Sequence, residues 1–348
     1  MNFNLKKDDT LAIKGIAIIL IILHNFYHNI RLLPSQNEFS FSINKTLSLI
    51  NIFKSEYSDI LRALFSYFGH YGVQLFIFLS AYGLTKKYLT SNSPYRNIFL
   101  HSYFKILVPF IFVLFLWIAH ELLIAGKSIN FIMESYGAAI ILKFLAINIP
   151  GYALSPVGPW WFYPTIIQFY LLFPILLKLY SKHGIPLLII ITFLSMTLLM
   201  VFNKKILFFN VIGHLPELCL GMLLASYKNF DFKKRYILGI AIIFILGQFN
   251  YYLWFFGRSS FVLLVLFLYK TFNFKKAWLI NTGKVSLFAF LINGFLRDPF
   301  FSLIDNSGNS SYIIILIGLI YLIYILMLSF LLDSIYTKTK RALNSDPL

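Results

Sequence analysis

Ten apolar stretches, each about as long as a helix that crosses a bilayer, lie between residues 11 and 332. The hydrocarbon core of a bilayer is roughly 30 Å thick, and about 20 apolar residues of helix are needed to cross it. Backbone groups in lipid must form hydrogen bonds within their own segment, so long apolar stretches predict helices rather than strands. The sequence therefore predicts an all-α fold, a polytopic transmembrane helical bundle of about ten spans that forms one domain over residues 1–348.

Composition agrees with this fold class, because only 12% of the 348 residues are charged and 59% are hydrophobic. A soluble domain carries about 25% charged residues. The first stretch is too long for the apolar part of a secretory signal, so we expect it to remain as a membrane helix. The predicted spans are 11–33, 64–85, 105–125, 159–177, 185–202, 206–226, 237–253, 254–269, 279–297 and 311–332.

Basic residues predict how the bundle is oriented. The loops on the side of the chain ends hold 19 of the 30 Lys and Arg residues, and the opposite loops hold 10. Because Lys and Arg are enriched in cytoplasmic loops, we expect both termini in the cytoplasm and the segment 34–60 outside. The same rule, together with anionic lipid head groups, accounts for the net charge of +17. Alternatively, the basic rim attracts an anionic substrate such as a nucleotide-bearing cofactor.

Several function classes are disfavoured. The basic residues lie in short loops rather than in one patch, which argues against nucleic-acid binding. Cys219 is the only cysteine, so an intrachain disulfide is excluded. His24 and His28 have no acidic third ligand near them in the sequence, and no metal site is expected. The absence of a Walker loop argues against a transporter driven by nucleotide hydrolysis.

Ionisable residues inside predicted spans are candidates for function, because they are costly in lipid. His24 and His28 are four residues apart and share one face of the first span. His24 lies about 15 Å along the helix from Lys14, near the middle of the bilayer. A purely structural alternative is that the pair holds neighbouring helices by hydrogen bonds. Glu217 is similarly deep in the sixth span, whereas Glu121 is close to the outer end of the third.

Five segments in this order resemble the acyltransferase-3 family of integral membrane acyltransferases, and the resemblance covers nearly the whole chain. They are KGIAIILIILH (14–24), GVQLFIFLSAYGL (72–84), HSYFKILVP (101–109), PWWFYPTIIQFYLLFP (159–174) and GKVSLFAFLINGFLR (283–297). The resemblance implies ten core helices and an acyl donor, often acetyl-CoA, on the cytoplasmic side. It implies a hydroxyl or amine acceptor on a glycan or a lipid-linked molecule.

The chain departs from the family pattern at two positions. The pattern has a basic residue, ten residues and then a His, but Asn25 stands at that distance from Lys14, and His24 precedes it. On a helix, Asn25 lies about 20° from the Lys14 face, His24 about 80° and His28 about 40°. Asn293 stands where the family often has a His. Three explanations are open. The helix is rotated relative to the family pattern, or the catalytic base is at a different position, or the chain binds a glycan without acylating it.

The remaining residues suit acyl transfer from a thioester to a hydroxyl. His24 is the candidate base, with His28 as the fallback, and Asn25, Gln168, a Tyr or a Trp is the candidate donor to the oxyanion. Lys14, Lys86, Arg96 and Lys105 are candidates for binding the phosphates of acyl-CoA, the expected co-substrate. Trp161 and Tyr163 form either an aromatic belt at the membrane interface or a platform for a sugar ring. The candidate acceptor-binding residues are Trp161, Tyr163, Gln168, Glu217 and Asn293.

The sequence thus favours an enzyme of the inner membrane, an O-acyltransferase that moves an acyl group, acetyl by preference, from cytoplasmic acyl-CoA to a cell-surface or lipid-linked polysaccharide. Its expected partners are membrane lipid, acyl-CoA and the glycan acceptor. The alternative is a transporter or flippase for a polysaccharide or lipid-linked sugar on the same ten-helix body. A glycan polymerase ranks last, because the outer loops are modest in length.

Overall fold

The structure is a computed structural model that describes residues 4–30, 33–91, 94–202, 204–227, 235–305 and 310–345. Apart from an isolated bridge between Asn37 and Ser40, the regular structure of these residues is helical, which confirms the all-α prediction. The α-helices are α1 (Lys7–Tyr27), α2 (Ile43–Ser55), α3 (Ile60–Phe68), α4 (Tyr71–Thr90), α5 (Tyr95–Leu123), α6 (Ile129–Phe144), α7 (Phe162–His183), α8 (Ile185–Phe202), α9 (Lys205–Phe208), α10 (Leu215–Ser226), α11 (Arg235–Leu246), α12 (Tyr251–Phe272), α13 (Ala277–Lys284), α14 (Ser286–Ile292), α15 (Asp298–Asp305) and α16 (Ser311–Ser345).

The chain is a multi-pass membrane protein. Within the described ranges, six segments are long and apolar enough to cross a bilayer: Lys7–Tyr27, Tyr95–Leu123, Gly158–His183, Ile185–Phe202, Tyr251–Phe272 and Ser311–Arg341. Large apolar side chains such as Ile190 and Phe193 are exposed on them, as lipid contact requires. The ten-span count and the cytoplasmic termini stay predictions. Of the basic residues counted for orientation, Arg31, Lys228, Lys233 and Lys234 lie outside the described residues.

Several predicted spans were wrong in detail, because close packing against α1 and, at Asn250, a capping side chain decide where helices begin and end. The span 64–85 is two helices, α3 and α4, separated at Gly69 and His70, and 279–297 is divided into α13 and α14 at Val285. The turn expected near residue 253 lies before Asn250, whose side chain caps α12 by accepting hydrogen bonds from the backbone N–H groups of the next turn. The segment 206–226 contains α9, a 3₁₀ turn and α10.

The first helix lies at the centre of the bundle. α1 contacts α3, α4, α13, α14 and α16, and buried residues occupy most of its circumference. Its crossing with α13 is close, because a Cβ at Gly15 would lie 2.2 Å from the Leu279 carbonyl oxygen and one at Gly283 would lie 1.9 Å from that of Leu11. Small residues at such crossings let membrane helices pack backbone to backbone. This contact fixes the position of α1 in the bundle.

A buried ion pair joins α10 to α12. Glu217 and Arg258 are almost fully buried, with Oε1 and Nε 3.2 Å apart. The Arg258 Nη2 donates to the Gly213 carbonyl oxygen at 2.8 Å and to His214 Nδ1 at 2.9 Å. His214 Nδ1 accepts this bond, so the ring carries its proton on Nε2, which lies 3.0 Å from the Phe208 carbonyl oxygen. The guanidinium therefore ties together α10, α12 and the 3₁₀ turn before α10.

We expect Glu217→Gln to destabilise the protein by about 3–5 kcal/mol, because it leaves the buried Arg258 charge without a counter-charge. Thermal unfolding in detergent measures the loss. The exposed pair of Asp8 and Lys275, at 3.1 Å, is the matched control. Asp8→Asn should cost no more than about 1 kcal/mol, because surface pairs contribute little. Equal losses in the two variants would show that burial does not set the energy of the pair.

Candidate functional site

A polar cavity of about 260 Å³ lies beside the end of α1 that is farther from the N-terminus. We name it the histidine cavity. Its polar lining comes from α1, from the loop after it and from the segment after α14. Its apolar lining comes from α1, α4, α14 and the segment before α7. The lining residues are Ile21, His24, Asn25, His28, Asn29, Asn37, Glu38, Phe39, Val73, Leu154, Gly158, Pro159, Trp161, Phe290 and Arg297.

His24 is held by the backbone of α3. Its Nδ1 lies 3.3 Å from the Phe65 carbonyl oxygen, which can only accept a hydrogen bond. The Nδ1 atom therefore carries the proton, and Nε2 is left as the proton-accepting atom of the neutral ring. The approach of α3 depends on Gly69, where a Cβ would lie 2.6 Å from the His24 Cβ. The break between α3 and α4 thus places and orients the candidate base.

Two further histidines surround His24. The His28 ring lies 4.8 Å from the His24 ring, centre to centre, and the His70 ring lies 5.7 Å from it. His70 donates through Nδ1 to the Tyr67 carbonyl oxygen at 2.8 Å. Its buried Nε2 has no hydrogen-bond partner among the described residues, and neither has His28 Nδ1. The described His, Cys, Asp and Glu side chains form no group of three that could hold a metal ion.

The two positions that depart from the family pattern are in direct contact. Asn25 Nδ2 donates to Asn293 Oδ1 at 2.7 Å, which joins α1 to the end of α14. Arg297 Nη1 donates to the Asn25 carbonyl oxygen at 3.1 Å, and its guanidinium lines the histidine cavity. The structure therefore brings His24, His28 and Asn25 to one cavity, with Asn293 directly behind Asn25.

The loop between α1 and α2 closes one side of the cavity. Its residues Asn37, Glu38 and Phe39 line the space, and the Phe39 ring meets the Trp161 ring edge to face at 4.9 Å. Glu38 is only 5% exposed. Burial raises the pKa of its carboxyl to about 7, against the opposing effect of the Arg258 charge. The cavity thus contains a carboxyl group that changes charge near neutral pH.

The two candidate aromatic residues have different surroundings. Trp161 lines the histidine cavity and stacks on the His214 ring at 5.3 Å, so it can present a ring face or edge to a ligand. Tyr163 is buried against Phe110 at 4.1 Å and does not line the cavity.

Gln168 and Glu217 are engaged in structural contacts. Gln168 donates to the Ala146 carbonyl oxygen at 2.8 Å and accepts from the Val211 N–H at 2.9 Å, which joins α7 to two loops. Glu217 is paired with Arg258. Neither lines the histidine cavity, so the structure does not bring them together with His24.

A second cavity, of about 710 Å³, lies between α5 and α16 near the two chain ends. We name it the lysine cavity. His101 and Lys105 of α5 and Lys340 of α16 supply its basic groups, and Phe104, Val108 and Phe112 supply part of its apolar wall. Among the described residues, the two cavities share no lining residue.

Of the four candidate phosphate-binding residues, Lys105 lines the lysine cavity and the other three do not. Lys105 lines the lysine cavity, and the charges of Lys87, Lys7 and Lys340 lie close enough to repel its own. Lys14, half-buried on α1, is within electrostatic reach of Lys105. Lys86 lies over the Tyr82 ring at 5.8 Å, and Arg96 is exposed in the first turn of α5. Neither of these two lines the cavity.

Sequence reasoning missed Glu38, Arg297 and His70. His70 could have been found, because it is an ionisable residue inside a predicted span. Arg297 is the last residue of a quoted family segment. Glu38 carried no signal, because its place depends on how the loop after α1 folds back over the bundle.

The fold and the site define a multi-pass helical membrane protein in which the described residues form a polar cavity and a basic cavity. The acyltransferase-3 family, described as an acyltransferase domain, matches residues 12–333 of the chain. The protein belongs to this family. Comparison with curated proteins and with solved structures gives no match.

Glu38 should make the stability of the protein depend on pH. Its carboxyl binds a proton more tightly in the folded protein, with a pKa of about 7, than at the ordinary value of 4.5. Its stabilising contribution is therefore complete below about pH 4.5 and is lost as the pH rises through about 7.

We expect Glu38→Gln, which stays neutral, to gain stability relative to wild type between pH 5 and pH 8. Thermal unfolding at both pH values measures this gain. Glu56→Gln, at an exposed position after α2, is the control and should follow wild type. A constant difference between Glu38→Gln and wild type would contradict the buried, titrating carboxyl.

Proposed function

We propose that the protein transfers an acyl group, acetyl by preference, from acyl-CoA to a hydroxyl of a cell-surface or lipid-linked polysaccharide at the inner membrane. The observation that carries the proposal is the placement of His24, in a chain of the acyltransferase-3 family. The ring lines a polar cavity, and the Phe65 carbonyl oxygen leaves Nε2 free to accept a proton.

The reaction needs one proton to move twice. His24 Nε2 takes the proton of the acceptor hydroxyl while the oxygen attacks the thioester carbonyl carbon. The C–O bond forms, the C–S bond breaks, and the imidazolium returns the proton to the CoA sulfur. The Arg297 guanidinium is a charged donor in the same cavity and suits the negative charge that develops on the carbonyl oxygen. Asn25 and His28 stand beside the base.

The lysine cavity is the proposed seat of the donor. Lys105, Lys340 and His101 line it, and the charges of the two lysines suit the CoA phosphates. Its apolar wall of Phe104, Val108 and Phe112 suits the remainder of an acyl-CoA. Lys14, near Lys105, lies on the same helix as His24. Lys86 and Arg96 contribute long-range attraction rather than contact.

The histidine cavity is the proposed site of the acceptor. Trp161 and Phe39 offer ring surfaces, and Asn29 and Asn37 offer polar groups, as sugar binding requires. A transporter or flippase for the same glycan would leave acetyl-CoA unused. Consumption of acetyl-CoA by the purified protein, and transfer of its label to membrane glycan, therefore separate the two functions.

We expect His24→Asn to lower acyl transfer at least about 100-fold, because the variant lacks a general base. An Asn side chain keeps an N–H that can donate to the Phe65 carbonyl oxygen, so the fold should persist. Initial rates with labelled acetyl-CoA and host membranes measure the effect. The exposed His183 of α7 gives the control, and His183→Ala should retain full activity. Full activity of His24→Asn would assign the base to another residue.

We expect Lys105→Gln mainly to raise the KM for acetyl-CoA, because it removes one charge from the phosphate seat. The effect should shrink as salt is added, since ions screen exposed charges over about 10 Å at 0.1 M. Binding of acetyl-CoA over a salt series measures both. Lys178→Gln, at an exposed site on α7, is the control. Unchanged affinity in Lys105→Gln would assign this lysine to membrane orientation instead.

A further inference from the structure

The side-chain amide of Asn293 is fully engaged. The residue is 0% exposed, and its Nδ2 donates to the carbonyl oxygens of Ala289 at 3.1 Å and Phe290 at 2.6 Å. A carboxamide has two N–H donors and one accepting oxygen. Both donors of Asn293 are used within its own helix, so only Oδ1 is presented to α1.

This arrangement fixes the orientation of Asn25. Because Asn293 Oδ1 can only accept, Asn25 must turn its Nδ2 towards it, and the two atoms lie 2.7 Å apart. The network therefore decides which end of the Asn25 amide faces Asn293. Asn25 lines the histidine cavity, and none of the described residues donates to its Oδ1. The group offered to a ligand is an accepting oxygen.

The backbones on both sides of the contact are anchored. The Asn25 carbonyl oxygen accepts from Arg297 Nη1 at 3.1 Å and from Asn29 Nδ2 at 2.7 Å. The Asn293 carbonyl oxygen accepts from the Tyr321 hydroxyl of α16. The orientation of the Asn25 amide is therefore held by three helices rather than by one hydrogen bond.

An amide oxygen accepts a hydrogen bond but does not remove a proton at neutral pH. The reacting hydroxyl has a single hydrogen, which His24 takes. A hydrogen bond to Asn25 Oδ1 must then come from a second group of the acceptor. His24 and Asn25 both line one cavity of about 260 Å³, so this second group lies close to the reacting hydroxyl.

We propose that the histidine cavity selects acceptors with a second hydroxyl on the carbon next to the reacting one, a vicinal diol, and that Asn25 Oδ1 accepts from this second hydroxyl. Asn293 is the positioning residue that keeps the oxygen towards the cavity. The inference rests on the proposed function, because it concerns the acceptor of that reaction. It also means that Asn25 is not the donor to the oxyanion.

Competition between two small acceptors tests the inference. Purified protein receives acetyl-CoA with equal amounts of trans-cyclohexane-1,2-diol and cyclohexanol, and mass spectrometry gives the ratio of the two acetate esters per hydroxyl group. This ratio does not depend on the fraction of protein that is folded. Wild type should favour the diol by at least about fivefold, which is the effect expected of one hydrogen bond.

The variants should lower the ratio of diol ester to cyclohexanol ester by different amounts. Asn25→Leu should bring it to about one, and Asn25→Asp, which keeps an accepting oxygen, should preserve the preference. Asn293→Leu should give an intermediate ratio, because it releases the Asn25 amide, and it should add nothing in the Asn25→Leu background. Asn281→Leu, at an exposed site on α13, is the control and should match wild type.

Other results contradict either the inference or the proposed function. An unchanged ratio in Asn25→Leu, or no preference in wild type, overturns the inference. So does the absence of both esters from protein that acetylates glycan in host membranes, because the cavity then does not take a free vicinal diol. Protein that consumes no acetyl-CoA under any of these conditions overturns the proposed function instead.

Discussion

Gly15 and Gly283 let the backbones of α1 and α13 meet with no side chain between them. Packing of this kind is one of the main attractive forces between helices in lipid, where burial of apolar groups contributes little. This contact fixes the position of α1 along its axis and its rotation about that axis. His24 and Asn25 lie about 15 Å along α1 from the contact. α3 and α14, which orient these two residues, pack on the same helix.

The buried polar groups of this bundle divide into two sets according to their partners. Glu217 and Arg258 pair with each other, and Gln168 bonds to backbone groups, so these residues hold helices and loops together. His28 Nδ1 and His70 Nε2 have no partner within the described chain. Unpartnered buried groups are costly in a folded protein. These two belong to the rings that flank His24, whereas other unpartnered atoms, such as Thr85 Oγ1 and Trp254 Nε1, belong to residues that do not line the histidine cavity.

Much of the fold could be predicted from the sequence, because long apolar stretches permit few structures in lipid. The bounds of α8 agree with the predicted span, whereas the breaks at Gly69 and Val285 were missed, because packing against α1 rather than apolar content decides them. His24 and Asn25 were placed on one helix by spacing alone.

The rest of the site depends on contacts between residues far apart in the chain. The contact of Asn25 with Asn293 spans 268 positions, and no local pattern reports it. The structural role of Glu217 could not be predicted for the same reason, because its partner Arg258 belongs to another helix.

α14 has only seven residues, yet it stands between the two cavities. Phe290 lines the histidine cavity and contacts Phe76 and Phe162 from two other helices, while Phe288 packs on Phe112 of the lysine cavity. Closely packed aromatic rings exclude water, and a dry constriction is a barrier to ions. An aromatic layer of this kind hinders the passage of ions between the two cavities.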